Sequence, residues 1–305
     1  MRIGITYLYA IFRYGYPPSI EDDFRALGEI RDLGFHFIEM EGLGPRKIRA
    51  LGRYRARLIR FLRESGLHVH NFCVVDPDLV SLDAARRRRA FATFKRGAEI
   101  GVALGAETLH LASYAPPVRY LDGRPYQLES KEGYRFADRT RVRIPAGFDW
   151  RRVWDVLVES CRFCADVASR YGKTVLMEPR VGETVCSVDS MLRLIEHVER
   201  PNFAANFDTA HFSAQRENVP LALEKLRGRF ANIHIADNDP IDTEHLPVGD
   251  GVIDWREFFR VLKTMKYDGY LGLDLGTSRP LVEGYRKSVE RIRQIASGLR
   301  LKIEV

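Results

Sequence analysis

Short apolar runs alternate with longer segments of helical period along the whole 305-residue chain, and this alternation limits its fold more than any other feature. Parallel strands cannot be joined by tight turns, so strand-sized runs separated by helix-sized ones predict βα units and a parallel sheet. Eight such runs are present, at 2–7, 35–41, 67–74, 107–112, 174–178, 203–208, 231–236 and 270–275. The segments between them carry helix punctuation. Ser19 precedes Ile20, Phe24, Leu27 and Ile30, with Gly34 beyond; Pro45 opens a run from Ile48 to Leu62, with Gly66 beyond; Asp149 precedes Trp150, with Gly172 beyond. Eight units without a break in composition predict one α/β domain over 1–305, a closed (β/α)8 barrel. A doubly wound open sheet is the rival architecture.

One connection is too long for a turn. Residues 114–148, after the fourth strand, are rich in Pro, Gly, Tyr and charge. Loops that follow barrel strands lie on the catalytic face, and structureless loops beyond ~15 residues are usually functional. The segment is expected to be a lid or specificity insertion, or part of an oligomer contact.

Composition excludes other classes. Hydrophobic residues at 45% and charged residues at 29% are the balance of a soluble globular protein and rule out collagen-like, disordered and membrane-spanning chains. No apolar stretch approaches the ~20 residues of a membrane helix. The net charge of +7 bears on solubility and steering, and the dense run Arg86 to Arg89 is expected to coat a solvated helix start. Cys73, Cys161, Cys164 and Cys186 are too scattered for a disulfide framework, so a reducing, cytoplasmic setting is expected. Cys161 and Cys164 fall on the same helical stripe as Val153, Leu157 and Ala168, which predicts core packing rather than redox chemistry.

Chemistry is announced where polar residues interrupt the apolar strands, since a charge inside a packed barrel needs a partner. Glu178, Asp208, His234 and Asp274 lie at or near the ends of the fifth to eighth runs, and barrel closure would gather them at one mouth. Three carboxylates and an imidazole are an oxygen-rich metal set that suits Mn²⁺, Mg²⁺ or Co²⁺ and tolerates Zn²⁺.

With these residues in place, the chain resembles the xylose isomerase-like barrels, a family of sugar isomerases, ketose 3-epimerases, inosose dehydratase and endonuclease IV-type nucleases. The resemblance covers most of the sequence and rests on Glu178-Pro179, Asp208-Thr-Ala-His211, His234-Ile-Ala-Asp237 and the stretch from His245 to Trp255. It implies that Glu178, Asp208, His234 and Asp274 bind one divalent cation, Mn²⁺ first among the candidates. Asp274 departs from the pattern, which has Glu there, so its reach toward substrate is shorter. The implied reaction is proton abstraction beside a carbonyl through an enediolate, with Glu178 as base, Asp274 or a water returning the proton, and His211 beside the metal. Arg180, His70, His110, Asp237 and His245 are the candidate substrate contacts. Tyr7, Glu41, Phe72, Tyr114, Trp150 and Trp255 are candidate pocket walls. A small sugar is the expected partner rather than nucleic acid, and dimers or tetramers are common in the family.

Three other readings compete. A sugar or inosose dehydratase would use the same metal. A nuclease would add His70, His110 and His245 to a multinuclear zinc site, although Thr243 stands where that pattern has an acidic ligand. An inactive sugar-binding barrel would account for Asp274.

Overall fold

The computed structural model describes residues 1–121, 141–239, 243–276 and 280–305. Eight strands form a closed parallel barrel: β1 (Arg2–Ile5), β2 (Phe37–Leu43), β3 (His68–Val75), β4 (Thr108–Ala112), β5 (Thr174–Glu178), β6 (Phe203–Asp208), β7 (Phe230–Ile235) and β8 (Tyr270–Leu273). Neighbours in sequence are neighbours in space, and β8 closes on β1 with Arg2 opposite Tyr270 and Ile5 opposite Leu273. The open-sheet rival is thereby excluded. All eight strands overlap the runs read from the sequence; β2 extends to Leu43, two residues beyond its expected end.

The punctuation acts as expected. Ser19 accepts from Asp22 N and Asp22 answers it in a capping box at the start of α2 (Ile20–Asp32). Gly66 ends α3 (Gly44–Ser65) at φ +65°, a left-handed conformation that costs a glycine little. Asp149 caps α5 (Trp150–Ser169), whose buried face includes Val153, Leu157, Cys161, Cys164 and Ala168. Both cysteines are core residues, and burial pushes their thiols up, away from the reactive thiolate. The basic run lies in the first turns of α4 (Ala84–Ala103), where Arg86 pairs with Asp78 at 2.7 Å. No helix among the described residues is long and apolar enough to cross a membrane.

Two features were not anticipated. The chain turns directly from β1 into a short helix, α1 (Leu8–Tyr14), rather than running on as strand to residue 7. The flanks of the long insertion pair with each other, Arg119 opposite Arg143 and Tyr120 opposite Val142, as a two-stranded antiparallel ribbon. Residues 122–140, the middle of the expected lid, lie outside the described residues.

Helix α4 packs close to β3 because two of its residues have no side chain. A Cβ on Gly101 would stand 2.9 Å from Phe72 Cβ, and one on Gly97 would stand 2.7 Å from Val74 Cγ2. Phe72 Cβ is fixed to the strand, so it cannot swing aside. Gly101→Val is expected to destabilise the protein by about 1–3 kcal/mol through overpacking, read as a lowered urea midpoint with an unchanged m-value.

Candidate active site

The barrel interior contains a connected set of polar side chains with one or two members from each of β2 to β7. Glu39 on β2 accepts from Asn71 Nδ2 on β3 at 2.5 Å and lies 3.0 Å from His234 Nε2 on β7. Asn71 Nδ2 is also 3.3 Å from His110 Nδ1 on β4, whose Nε2 is 3.8 Å from Glu178 Oε1 on β5. Asn206 on β6 donates to Glu178 Oε1 at 2.8 Å and accepts from Asn232 on β7 at 2.8 Å. Strand alternation sends Asn232 and His234, two apart, to the same interior.

Above this network, three of the four expected ligands meet. Glu178, Asp208 and His234 offer atoms that all lie within 4.8 Å of one another. His234 Nδ1 is 2.8 Å from Glu178 Oε1 and 3.7 Å from Asp208 Oδ2. Asp274 joins through Asp208: those two and His245 form a second cluster by the same measure. Asp208 is therefore the shared corner, and all four expected ligands lie at one mouth of the barrel.

The donor chemistry fits a divalent cation. Asp208 caps α6 (Thr209–Ala214) with Oδ1, which accepts from His211 N at 3.0 Å. Its Oδ2 is buried without a hydrogen-bond partner, 3.7 Å from His234 Nδ1, and leaving such an atom unpaired is costly unless something binds it. Glu39 faces His234 Nε2, so the imidazole is held with Nδ1 toward the carboxylates, the arrangement by which an outer carboxylate orients a metal-binding histidine. Burial alone would raise the carboxyl of Glu39, but the charge of His234 and hydrogen bonds from His110 and His234 outweigh it and hold the group below the usual carboxylate range.

Glu178 follows the same logic. Burial raises its carboxyl, yet the Arg180 guanidinium, 2.5 Å away, and His234 outweigh that and keep it ionised. Burial and the charges of His245 and His234 push His211 well below the ordinary histidine range, so it is a neutral imidazole. For His245 burial is outweighed by Asp274, whose carboxylate lies 3.0 Å from Nδ1, and its pKa is pushed up to about 9.

A cavity of about 30 Å³ opens at this end of the barrel, lined by Glu178, Arg180, His211, His234, His245 and Asp274 on its polar side. Glu41, Tyr16, Leu8, Ile11, Leu43 and Val75 complete it. It is large enough for an ion or a water but not for a sugar, so a sugar would enter only as the lining side chains move apart.

Residues 27–295 match the family described as xylose isomerase-like TIM barrel. The chain belongs to that family. An L-ribulose-5-phosphate 3-epimerase of Salmonella heidelberg is 26% identical over 262 residues, covering 84% of this chain and 81% of that protein. In fold, the chain matches a 3-keto-D-glucoside 4-epimerase from E. coli at a TM-score of 0.71 and 20% identity, covering 96% and 99% of the two chains. A D-allulose 3-epimerase from Methylomonas sp. matches at 0.71 and 19%, covering 96% and 97%.

Several expected contacts of this family member are corrected. His70 lies deep in the barrel, stacked on Tyr270 at 4.4 Å, and burial lowers its pKa to about 4; it does not line the cavity. His110 serves the buried network below the cavity. Asp237 is consumed by its own loop, with its carboxylate accepting from the backbone of Asn238, Gly249 and Ile253 and from Trp255 Nε1. Among the expected walls only Glu41 lines the cavity. Tyr7 donates to Asp23, Tyr114 accepts from Asp76 N, Phe72 is core, Trp255 holds Asp237 and Trp150 is exposed.

Some residues in or near the site went unread in the sequence. Glu39 was hidden inside an apolar run, Leu8 and Ile11 belong to a helix that was not expected, and Glu183, outside the cavity lining, sits in the turn after β5. The Glu183 carboxyl is pushed up to about 8 by burial, against the opposing charge of Arg180. An acid inside the run Phe-Ile-Glu-Met-Glu was the signal for Glu39, by the argument already applied to Glu178. Glu39→Gln removes the charge facing His234 and is expected to weaken Mn²⁺ or Co²⁺ binding roughly 10- to 100-fold by titration calorimetry. Unchanged affinity would show that Glu39 does not orient the histidine.

Proposed function

We propose that this chain is a divalent-metal-dependent sugar epimerase or isomerase that moves a proton at a carbon next to a carbonyl. The observation that carries the reading is the convergence of Glu178, Asp208 and His234, whose ligand atoms lie within 4.8 Å of one another, beside a cavity that also presents Arg180 and His211. The epimerase relatives described above support it, as does a solved L-ribulose 3-epimerase of the same fold at a TM-score of 0.69 and 19% identity.

Glu178, Asp208, His234 and Asp274 are the proposed ligands, a set of three carboxylates and one nitrogen that favours Mn²⁺ over softer ions. When bound, the cation supplies Lewis acidity toward the substrate's oxygens and lowers the cost of an enediolate. The remaining work belongs to the side chains. Glu178, ionised beside Arg180, accepts the proton from carbon. His211, neutral and within the cavity, hydrogen-bonds a substrate oxygen; Arg180 can turn from Glu178 toward a carbonyl or anionic oxygen. The apolar wall of Leu8, Ile11, Leu43 and Val75 excludes water, which strengthens each polar contact.

The structure gives the nuclease reading no help, because His70 and His110 are enclosed beneath the cavity where a phosphodiester cannot reach. A dehydratase is separated by its product, which has lost water.

Stripping the protein with EDTA is expected to abolish epimerisation of ketoses, and restoring Mn²⁺ to recover it, followed by proton NMR of the sugar. Glu178→Gln is expected to lower turnover by roughly 10²–10⁴-fold while the folded circular-dichroism spectrum is retained. A near-normal rate in that variant would remove Glu178 as the base.

A further inference from the structure

Strand β2 places two acids on the barrel interior, Glu39 and Glu41, two residues apart and so on the same face. Glu39 is engaged by Asn71 and His234. Glu41, one step nearer the strand end, lines the cavity and makes no hydrogen bond or ion pair among the described residues. An acid facing a mostly enclosed cavity with no partner is costly to keep unless it works there.

Inverting a carbon needs a proton taken from one face and another delivered to the opposite face. One carboxylate cannot reach both. Glu178 ends β5, and β2 lies three strands away around the barrel of eight, so Glu41 and Glu178 approach the same cavity from well-separated parts of its wall. Asp274 is also three strands from β5, but its side chain is one methylene shorter than a glutamate and is held back by its contacts: Oδ1 accepts from the Thr6 hydroxyl at 2.5 Å and Oδ2 lies 3.0 Å from His245 Nδ1. Resting on the function proposed above, the comparison decides between the two acids.

We propose that Glu41 is the second proton-transfer residue, the acid that delivers a proton to the face of the substrate carbon opposite Glu178. This commits the reaction to epimerisation. The C–H bond breaks, its proton passes to Glu178 and its electron pair enters the enediolate. The enediolate then collapses to the carbonyl as the Glu41 O–H breaks and its proton forms the new C–H bond. One proton leaves the sugar and one arrives, with no change of oxidation state. Glu178 ends protonated and Glu41 ionised; exchange with water resets the pair, and the reverse reaction uses them in exchanged roles. Burial and the charge of Glu39, opposed by Arg180, push the Glu41 carboxyl up, the direction that suits a proton donor.

The test uses the Mn²⁺-loaded protein in deuterated water with L-ribulose 5-phosphate, L-ribulose, D-allulose and D-tagatose, followed by proton NMR. The wild-type protein is expected to invert one of these and to place one solvent deuteron on the inverted carbon. Glu41→Gln should slow inversion roughly 10²–10⁴-fold. It should still exchange the substrate hydrogen without inversion at a rate within a few-fold of normal, because Glu178 still removes and returns it. Its Mn²⁺ affinity should be unchanged, which also shows that it folds, and Glu41→Asp should recover part of the inversion. Inversion at the wild-type rate in Glu41→Gln, equal loss of exchange and inversion, or loss of Mn²⁺ binding would each overturn the role of Glu41 while leaving the epimerase reading in place. Wild-type protein inert toward all four sugars would overturn that reading, and the role of Glu41 with it.

Discussion

The interior of this barrel is held to one arrangement by the cost of burying charge. Glu39, Glu178, Asp208 and His234 are all nearly inaccessible to water, and an isolated ion in such a place would neutralise or the fold would reject it. They persist because each faces another: Glu39 with His234, Glu178 with Arg180 and Asn206, Asp208 with the first turn of α6. Removing one member strands its neighbour, so the network enforces register between β2, β3, β4, β5, β6 and β7 more strictly than interchangeable Val, Ile and Leu could.

The same constraint locates the chemistry. Deep in the barrel Glu39, Asn71, His110, Asn206 and Asn232 are tied to one another or to the residues above them. At the mouth, Asp208 Oδ2 has no hydrogen-bond partner, and Glu41 lines the cavity. Where the network reaches the mouth, ligand atoms of Glu178, Asp208 and His234 come within 4.8 Å of one another, a candidate cation site with an acid beside it. Depth also separates histidines that a linear reading treats alike: His211 and His245 reach the cavity, whereas His70 and His110 do not.

Much of this could be read from the chain because its signals are local. Strand runs, the Ser19 and Asp149 caps and the Gly66 stop each depend on a few adjacent residues. Glu178, Asp208, His234 and Asp274 were conspicuous because each breaks or ends an apolar run. Glu39 broke one as well but went unread, and only its contact with His234, 195 positions away, gives it a role. Asp237 misled for the opposite reason: it stands in a suggestive motif, yet the loop that fills its hydrogen bonds arrives from residues 249–255.

The sequence alone determined the eight strand–helix units, their order and the four polar residues at successive strand ends, since periodicity and caps are properties of neighbouring residues. The tertiary structure decided which side chains share the cavity, which acids are already satisfied and which remain free to act. Those outcomes depend on distances across the closed barrel, and closure brings together residues whose separation along the chain carries no trace of their meeting.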